Sequence, residues 1–370
     1  MRIVVIGSLA ISLLNFRGPL LKTLVERGHE VIACAPDAPP EVLAGLAAMG
    51  VHYRPVPLAR TGLNPLADLR TLRALRRLFR EERLDLALAY TVKPVIYTCF
   101  AARGSARPRV YPMITGLGYA FGLVSWPKRL ISVLLVELLR RALSTASGVM
   151  FQNPDDRDFF FVSGLLPSTL PVTLINGSGV DLAAFRPAPL PDEPVFLLIA
   201  RLLVDKGLRE YYFAARRLKA RYPRARFLLA GDLDPNPMSI SAAELASWQA
   251  DGTLEYLGQL DDVRPAFAAA RVYVLPSYRE GTPRTVLEAM AMGRPIVTTD
   301  APGCRETVVD GVNGFLVPVR DDVALERAME RFILEPELAK SFGKESLRIA
   351  QEKYDVHKVN AVILAAMGLD

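Results

Sequence analysis

Three histidines, three cysteines and two tryptophans are all that 370 residues contain of those types. His29 follows a glycine that reads as a helix end, His52 falls in a strand-like run and His357 lies near the tail. So scattered a set argues against histidine-based catalysis and against a histidine metal cluster. Cys34, Cys99 and Cys304 lack the spacing of a metal knuckle or a disulfide framework, which suits a reducing cytosol and assigns them no chemistry. No apolar run reaches the ~20 residues of a spanning helix; the nearest is "LISVLLVELLRRAL" at 130–143, so the expectation is a soluble or peripheral protein. "IVVIGSLAISLLNF" after Arg2 has the look of a secretory leader. It reads better as a buried strand and a Gly-Ser loop, followed by a helix in "RGPLLKTLVERG" that Gly28 ends.

What is present is apolar and periodic. Hydrophobic residues make up 51% of the chain and charged ones 23%, a globular composition, and the length suits two domains. Strand-like runs ("RIVVIG", "EVIACA", "LDLALAY", "RVYPMIT", "GVMFQN", "TLIN") alternate with helical patterns, which predicts an α/β fold with a parallel sheet. The alternation restarts after the Pro-rich stretch "FRPAPLPDEP" at 185–194, read as a linker, with "VFLLIAR", "RFLLAGD", "LEYLG", "VYVLPS" and "PIVTTD". The expectation is two doubly wound Rossmann-like domains, 1–185 and 186–354, that bind ligands at the carboxyl ends of their strands across a cleft. A last helix within 355–370 would pack back on the first domain.

Charge is uneven. Residues 1–185 hold 21 Lys and Arg against 13 Asp and Glu, net +8, leaving 24 against 26, net −2, in the remainder. Arg70, Arg73, Arg77 and Arg80 make one cationic face of a helix opposite Leu69, Leu72 and Leu75, near a greasy segment with Trp126, Lys128 and Arg129. Such a helix either rests on an anionic membrane or is a solvated surface helix. No aromatic-interleaved basic platform or recognition helix accompanies it, which argues against nucleic acid.

Two stretches carry the chemistry. In "YREGTPRTVLEAMAMGRP" (278–295), Gly281 and Thr282 form a strand-to-helix turn, with Pro283 suited to the first helical position. Free N–H groups and the helix dipole there favour an anion. Glu288 inside the helix can accept hydrogen bonds from vicinal hydroxyls, and Glu280 from those of a second sugar; a helix cap is the plainer reading of either acid. In "ARLLVDKG", Arg201 ends a strand and Lys206 opens a helix, so that a forked and a point cation can meet a diphosphate in one crevice, unless both are surface ion pairs.

On these residues, together with "LLAGD", "YLGQLDDV" and the run through "VDGVNGFLVP", the chain resembles glycosyltransferase family 4, retaining transferases of GT-B fold. The Glu-x7-Glu signature falls on Glu280 and Glu288. The resemblance implies a catalytic set of Arg201, Lys206 and Glu280, with Arg201 and Lys206 on the donor diphosphate and Glu280 on the donor sugar. It puts Glu288 on ribose, the backbone of Gly281, Thr282 and Arg284 on phosphate and sugar, and Gly258 and Leu260 beside the base. Same-face attack would leave the acceptor proton on the departing phosphate, without a divalent metal or other cofactor. Asp232 and Asp234 imitate an Asp-x-Asp metal motif but follow a strand of the wrong architecture and read as a loop in contact with the donor.

The first domain would then hold the acceptor. Its first loop keeps Asn15, Arg17 and Gly18 but lacks the family's common Gly-Gly pair. Arg17, placed near the opening of the helix, either meets an acceptor phosphate or is a plain surface arginine. Lys93, Thr115, Gly116 and Gly118 fall at strand ends; the family's usual histidine or acid is missing there, so no base is assigned. "DPNPMSI" and "LPSYREGTP" are similar to bacterial transferases that move N-acetylhexosamine from a UDP donor to a polyprenyl-pyrophosphate-linked sugar, on the inner face of the membrane. The competing classes are a UDP-N-acetylglucosamine 2-epimerase, which would want more acidic and histidine groups, and a non-catalytic nucleotide-sugar-binding protein.

Overall fold

The computed structural model describes residues 1–59, 64–116, 126–234, 236 and 238–370, and the side chains of 126–132 lie outside the description. The chain forms two units, Met1–Ser178 with His357–Asp370, and Gly179–Val356.

The first unit runs β1 (Arg2–Ile6), α1 (Ala10–Glu26), β2 (Glu30–Ala35), α2 (Pro40–Ala48), β3 (His52–Pro55), α3 (Pro65–Glu82), β4 (Leu86–Tyr90), α4 (Val92–Ala102), β5 (Arg109–Ile114), α5 (Trp126–Leu143), β6 (Val149–Phe151), α6 (Pro154–Val162) and β7 (Val172–Leu174). Its seven strands are ordered β3-β2-β1-β4-β5-β6-β7, and all pair in parallel. Buried on both faces, β1 alternates as strand geometry demands. Ile3 and Val5 join α1 and α2 on one side, while Val4 and Ile6 join α3, α4, α5 and α6 on the other.

The second unit runs β8 (Val195–Ile199), α7 (Leu208–Arg221), β9 (Arg226–Ala230), α8 (Ala242–Ala250), β10 (Glu255–Tyr256), α9 (Arg264–Ala269), β11 (Val272–Leu275), α10 (Arg284–Ala291), β12 (Ile296–Thr299), β13 (Gly314–Val317), α11 (Asp322–Leu334) and α12 (Pro336–Ile349). Its six parallel strands are ordered β10-β9-β8-β11-β12-β13. The order therefore reverses between β8 and β11, as it does between β1 and β4. In doubly wound sheets, ligands bind at the carboxyl ends of strands flanking such a reversal.

The Pro-rich stretch 185–194 lies within the second unit. Phe185 is buried in the core, and the wholly buried Arg294 donates from Nη2 to the Pro189 carbonyl at 3.0 Å. Burial alone draws the Arg294 pKa down to about 10. The chain enters this unit at Gly179 and leaves at Val356, and the two passages pair: Val180 N–H donates to Tyr354 O at 2.8 Å and Val356 N–H to Val180 O at 3.1 Å. After them α13 (Val356–Ala366) lays Val359, Ile363, Leu364 and Met367 into the core of the first unit. No helix among the described residues is long and apolar enough to cross a membrane.

Candidate active site

Four candidate side chains lie at the reversal of the second sheet. Beyond β8 the chain reaches Arg201 and then a short 3-10 turn, Val204–Lys206. Beyond β11 it reaches Ser277 and Glu280 before α10. Lys206 Nζ lies 2.5 Å from Glu280 Oε1, and the Ser277 hydroxyl donates to the same oxygen at 2.8 Å. The lysine and glutamate side chains are only 15% and 17% exposed, so this is a built ion pair rather than a chance surface meeting.

Backbone bonds hold the two loops together. Tyr278 N–H and Ser277 Oγ both donate to the Asp205 carbonyl, at 2.8 and 3.1 Å. From beneath, the buried Tyr273 phenol reaches both the Ile199 carbonyl at 3.0 Å and Thr285 Oγ1 at 2.6 Å, which ties the end of β8 to the first turn of α10. Thr299 Oγ1 donates to the Ser277 carbonyl. Gly303, at φ +80°, passes so close to the turn that a Cβ there would stand 2.3 Å from the Glu280 carbonyl oxygen and 2.5 Å from that of Gly281.

Glu288 sits one turn into α10 and is 5% exposed. Its Oε1 accepts from Arg284 Nε at 2.7 Å, an i,i+4 pair. Burial pushes its carboxyl above the usual range, and the guanidinium opposes that shift only in part. Gly281 and Thr282 lie between the two acids, just before the N-terminus of α10. Arg201 is half exposed, and its Nη1 donates to Asp234 Oδ2 at 2.9 Å. Gly258, at φ +71°, accepts the Gly231 N–H through its carbonyl at 2.9 Å, which places it beside the end of β9; Leu260 packs partly buried on the same core as β11.

The acceptor candidates of the first unit fall on α1, the start of α4 and the end of β5. The first-loop expectation is corrected: α1 begins at Ala10 and runs through Pro19. The stripe Ala10, Leu13, Arg17, Leu20, Leu21 and Leu24 faces the core at helical spacing, and burying it outweighs the lost bond at Pro19. Arg17 is therefore neither near the helix opening nor at the surface. It is 2% exposed, with its guanidinium 5.0 Å from the centre of the Tyr90 ring. Gly18 is buried beside it and Asn15 is exposed on another face. Lys93 opens α4 and pairs with Asp68 at 3.1 Å, both side chains largely buried. Thr115 and Gly116 follow β5 half-buried, and Gly118 lies outside the described residues.

Sequence reasoning missed Ser277, which bears no local signal, because its partner is set by how the loop folds back. Asp234 was legible as part of a loop in contact with the donor, but its pairing with Arg201 was not, because only the neighbouring strand brings the two together.

Two Rossmann-like units, each with ligand-binding strand ends at its order reversal, make the GT-B fold of glycosyltransferases. Residues 193–335 match the family described as "Glycosyl transferases group 1" and residues 18–177 the "Glycosyl transferase 4-like domain", and the chain belongs to this family. It is 27% identical over 369 residues, 96% of this chain and 95% of the other, to the N,N'-diacetylbacillosaminyl-diphospho-undecaprenol alpha-1,3-N-acetylgalactosaminyltransferase of Campylobacter jejuni. Among solved structures it is similar in fold to sucrose-phosphate synthase of Thermosynechococcus elongatus, with TM-score 0.81, 18% identity and coverage of 100% and 98% of the two chains. It is likewise similar to the Anabaena protein Alr3699/HepE in complex with UDP, with TM-score 0.79, 20% identity and 100% of both chains covered.

Proposed function

We propose that the chain is a retaining hexosyltransferase that moves an N-acetylhexosamine, GalNAc or GlcNAc, from a UDP-linked donor to a polyprenyl-pyrophosphate-linked sugar in bacterial glycan assembly. One observation carries the reading: the partly buried Lys206–Glu280 pair, with Arg201 on the same strand end, at the β8/β11 reversal. The Campylobacter relative, matched along nearly its full length, supports the choice of donor and acceptor class.

On this reading Arg201 and Lys206 neutralise the donor diphosphate, the backbone at Gly281, Thr282 and Arg284 completes the phosphate and sugar contacts, and Glu288 takes the ribose hydroxyls. Glu280 turns from Lys206 to the hydroxyls of the transferred sugar. The bond from the anomeric carbon to the phosphate oxygen breaks as the acceptor hydroxyl attacks from the same face, and the hydroxyl proton passes to the departing phosphate. The two cations stabilise the charge that grows there, so no protein base and no metal ion is given a role. The acceptor falls to the first unit, whose exposed arginine face on α3 meets the anionic inner surface of the membrane.

The test is to incubate the protein with a panel of UDP-sugars, with and without polyprenyl-pyrophosphate-linked sugar, and to follow UDP release and lipid mobility. The expected result is acceptor-dependent release with a UDP-N-acetylhexosamine and a shifted lipid that retains the anomeric configuration of the donor. Conversion of the UDP-sugar without acceptor would make the chain an epimerase, and binding without turnover a sensor.

A further inference from the structure

We infer that Asp234 is a positioning residue: it holds the Arg201 guanidinium in the orientation that grips the donor diphosphate. The inference rests on the reading of Arg201 given above and adds a residue to it. An arginine on a half-exposed strand end has four rotatable bonds, and ordering such a side chain costs conformational entropy. A ligand that must order it gives up affinity to that extent. A fixed acid that orders it beforehand removes the cost.

Asp234 is fixed. Its side chain is 12% exposed, against 51% for Arg201. Its Oδ1 accepts the Asn236 N–H at 2.9 Å, while Oδ2 takes Arg201 Nη1 at 2.9 Å, so the two oxygens serve separate tasks. The loop that carries it is laced to the loop after β8. Leu202 N–H donates to Asp232 O at 3.0 Å, Val204 N–H to Met238 O at 2.9 Å, Ile240 N–H to Leu202 O at 2.9 Å, and Ser239 Oγ to Leu202 O at 3.0 Å. Gly231, at φ +142°, permits this approach, since a Cβ there would lie 1.8 Å from the Ala200 carbonyl oxygen. Acid and arginine thus belong to two loops joined by backbone hydrogen bonds, whereas a surface ion pair between two mobile chains contributes little. Among the described residues, Asp234 is the only side chain that accepts a hydrogen bond from Arg201. Holding Nη1 alone leaves the Nε edge of the guanidinium for the forked contact that phosphate favours.

The experiment is a double-mutant cycle read by UDP titration of the full chain: wild type, Arg201→Ala, Asp234→Ala and the double variant, with Asp234→Asn as the conservative control. Asp234→Ala is expected to weaken UDP about ten-fold in the wild-type background and to have no further effect once Arg201 is alanine, the non-additivity that interacting residues show. Asp234→Asn keeps an oxygen for Nη1 and should recover most of the loss. Equal losses from Asp234→Ala in both backgrounds, unchanged affinity, or tighter binding would overturn the positioning role. If Arg201→Ala itself leaves UDP binding intact, the donor-site reading falls, and this inference with it.

Discussion

Burial of Glu288 carries a cost to stability. Burial raises its carboxyl pKa in the folded chain above the unfolded value, so the folded state favours the protonated form. The stabilisation tied to that proton is complete below the unfolded carboxylate range and is lost as pH rises through the higher folded value; at neutral pH the ionised group is a burden. Glu288→Gln is therefore expected to raise the melting temperature at pH 7, with the gain shrinking towards pH 4, and at the same time to weaken UDP. A variant less stable at pH 7 than wild type would show instead that the bond to Arg284 outweighs desolvation. The buried acid was legible as one half of the Glu-x7-Glu pair. Its raised pKa was not, because burial depends on strands distant in sequence.

At the scale of elements, the turn from β11 into α10 is the part the site depends on most, and its shape is imposed from outside by Gly303. A methyl group at that position would meet the Glu280 and Gly281 carbonyls at 2.3 and 2.5 Å, in a backbone conformation that L-residues disfavour. Gly303→Ala should cost at least about 1–3 kcal/mol of stability in denaturant unfolding, and should lower turnover further by shifting Glu280 away from Lys206. Unchanged stability would mean that the turn is held elsewhere. Period-2 and period-3.6 patterns in the sequence were enough to indicate both sheets, the strand-to-helix turn before α10 and the cationic face of α3, where Arg70, Arg73, Arg77 and Arg80 are all exposed. The patterns failed where a distant contact decided the outcome. Apolar residues before Pro19 looked like loop until the core claimed them for α1. Leu69, placed on the apolar side of α3, is 40% exposed, whereas Leu75 is buried. Lys93 finds its acid 25 residues earlier in the chain, a separation that no local spacing announces.

At the scale of the whole molecule, the chain crosses between its units twice, and its last helix returns to the core of the first. Ile363 and Leu364 are each 1% exposed there. Ile363→Ala should cost about 2–5 kcal/mol, read as a lower melting temperature of the first unit, while UDP binding by the second unit persists. Loss of both together would show that the units do not unfold separately. The exposed arginines of α3 give the membrane expectation its test. Sedimentation with anionic vesicles should fall when Arg73 and Arg77 become Glu, and indifference to that change would point to an acceptor met in solution. The central claim is that a diphosphate is gripped between Lys206 and Arg201 at the β8/β11 reversal. Calorimetric titration of UDP into wild type and Lys206→Ala tests it most directly. Loss of one charge-assisted contact should weaken binding about ten-fold or more, whereas equal affinity in the two proteins would place the nucleotide somewhere else.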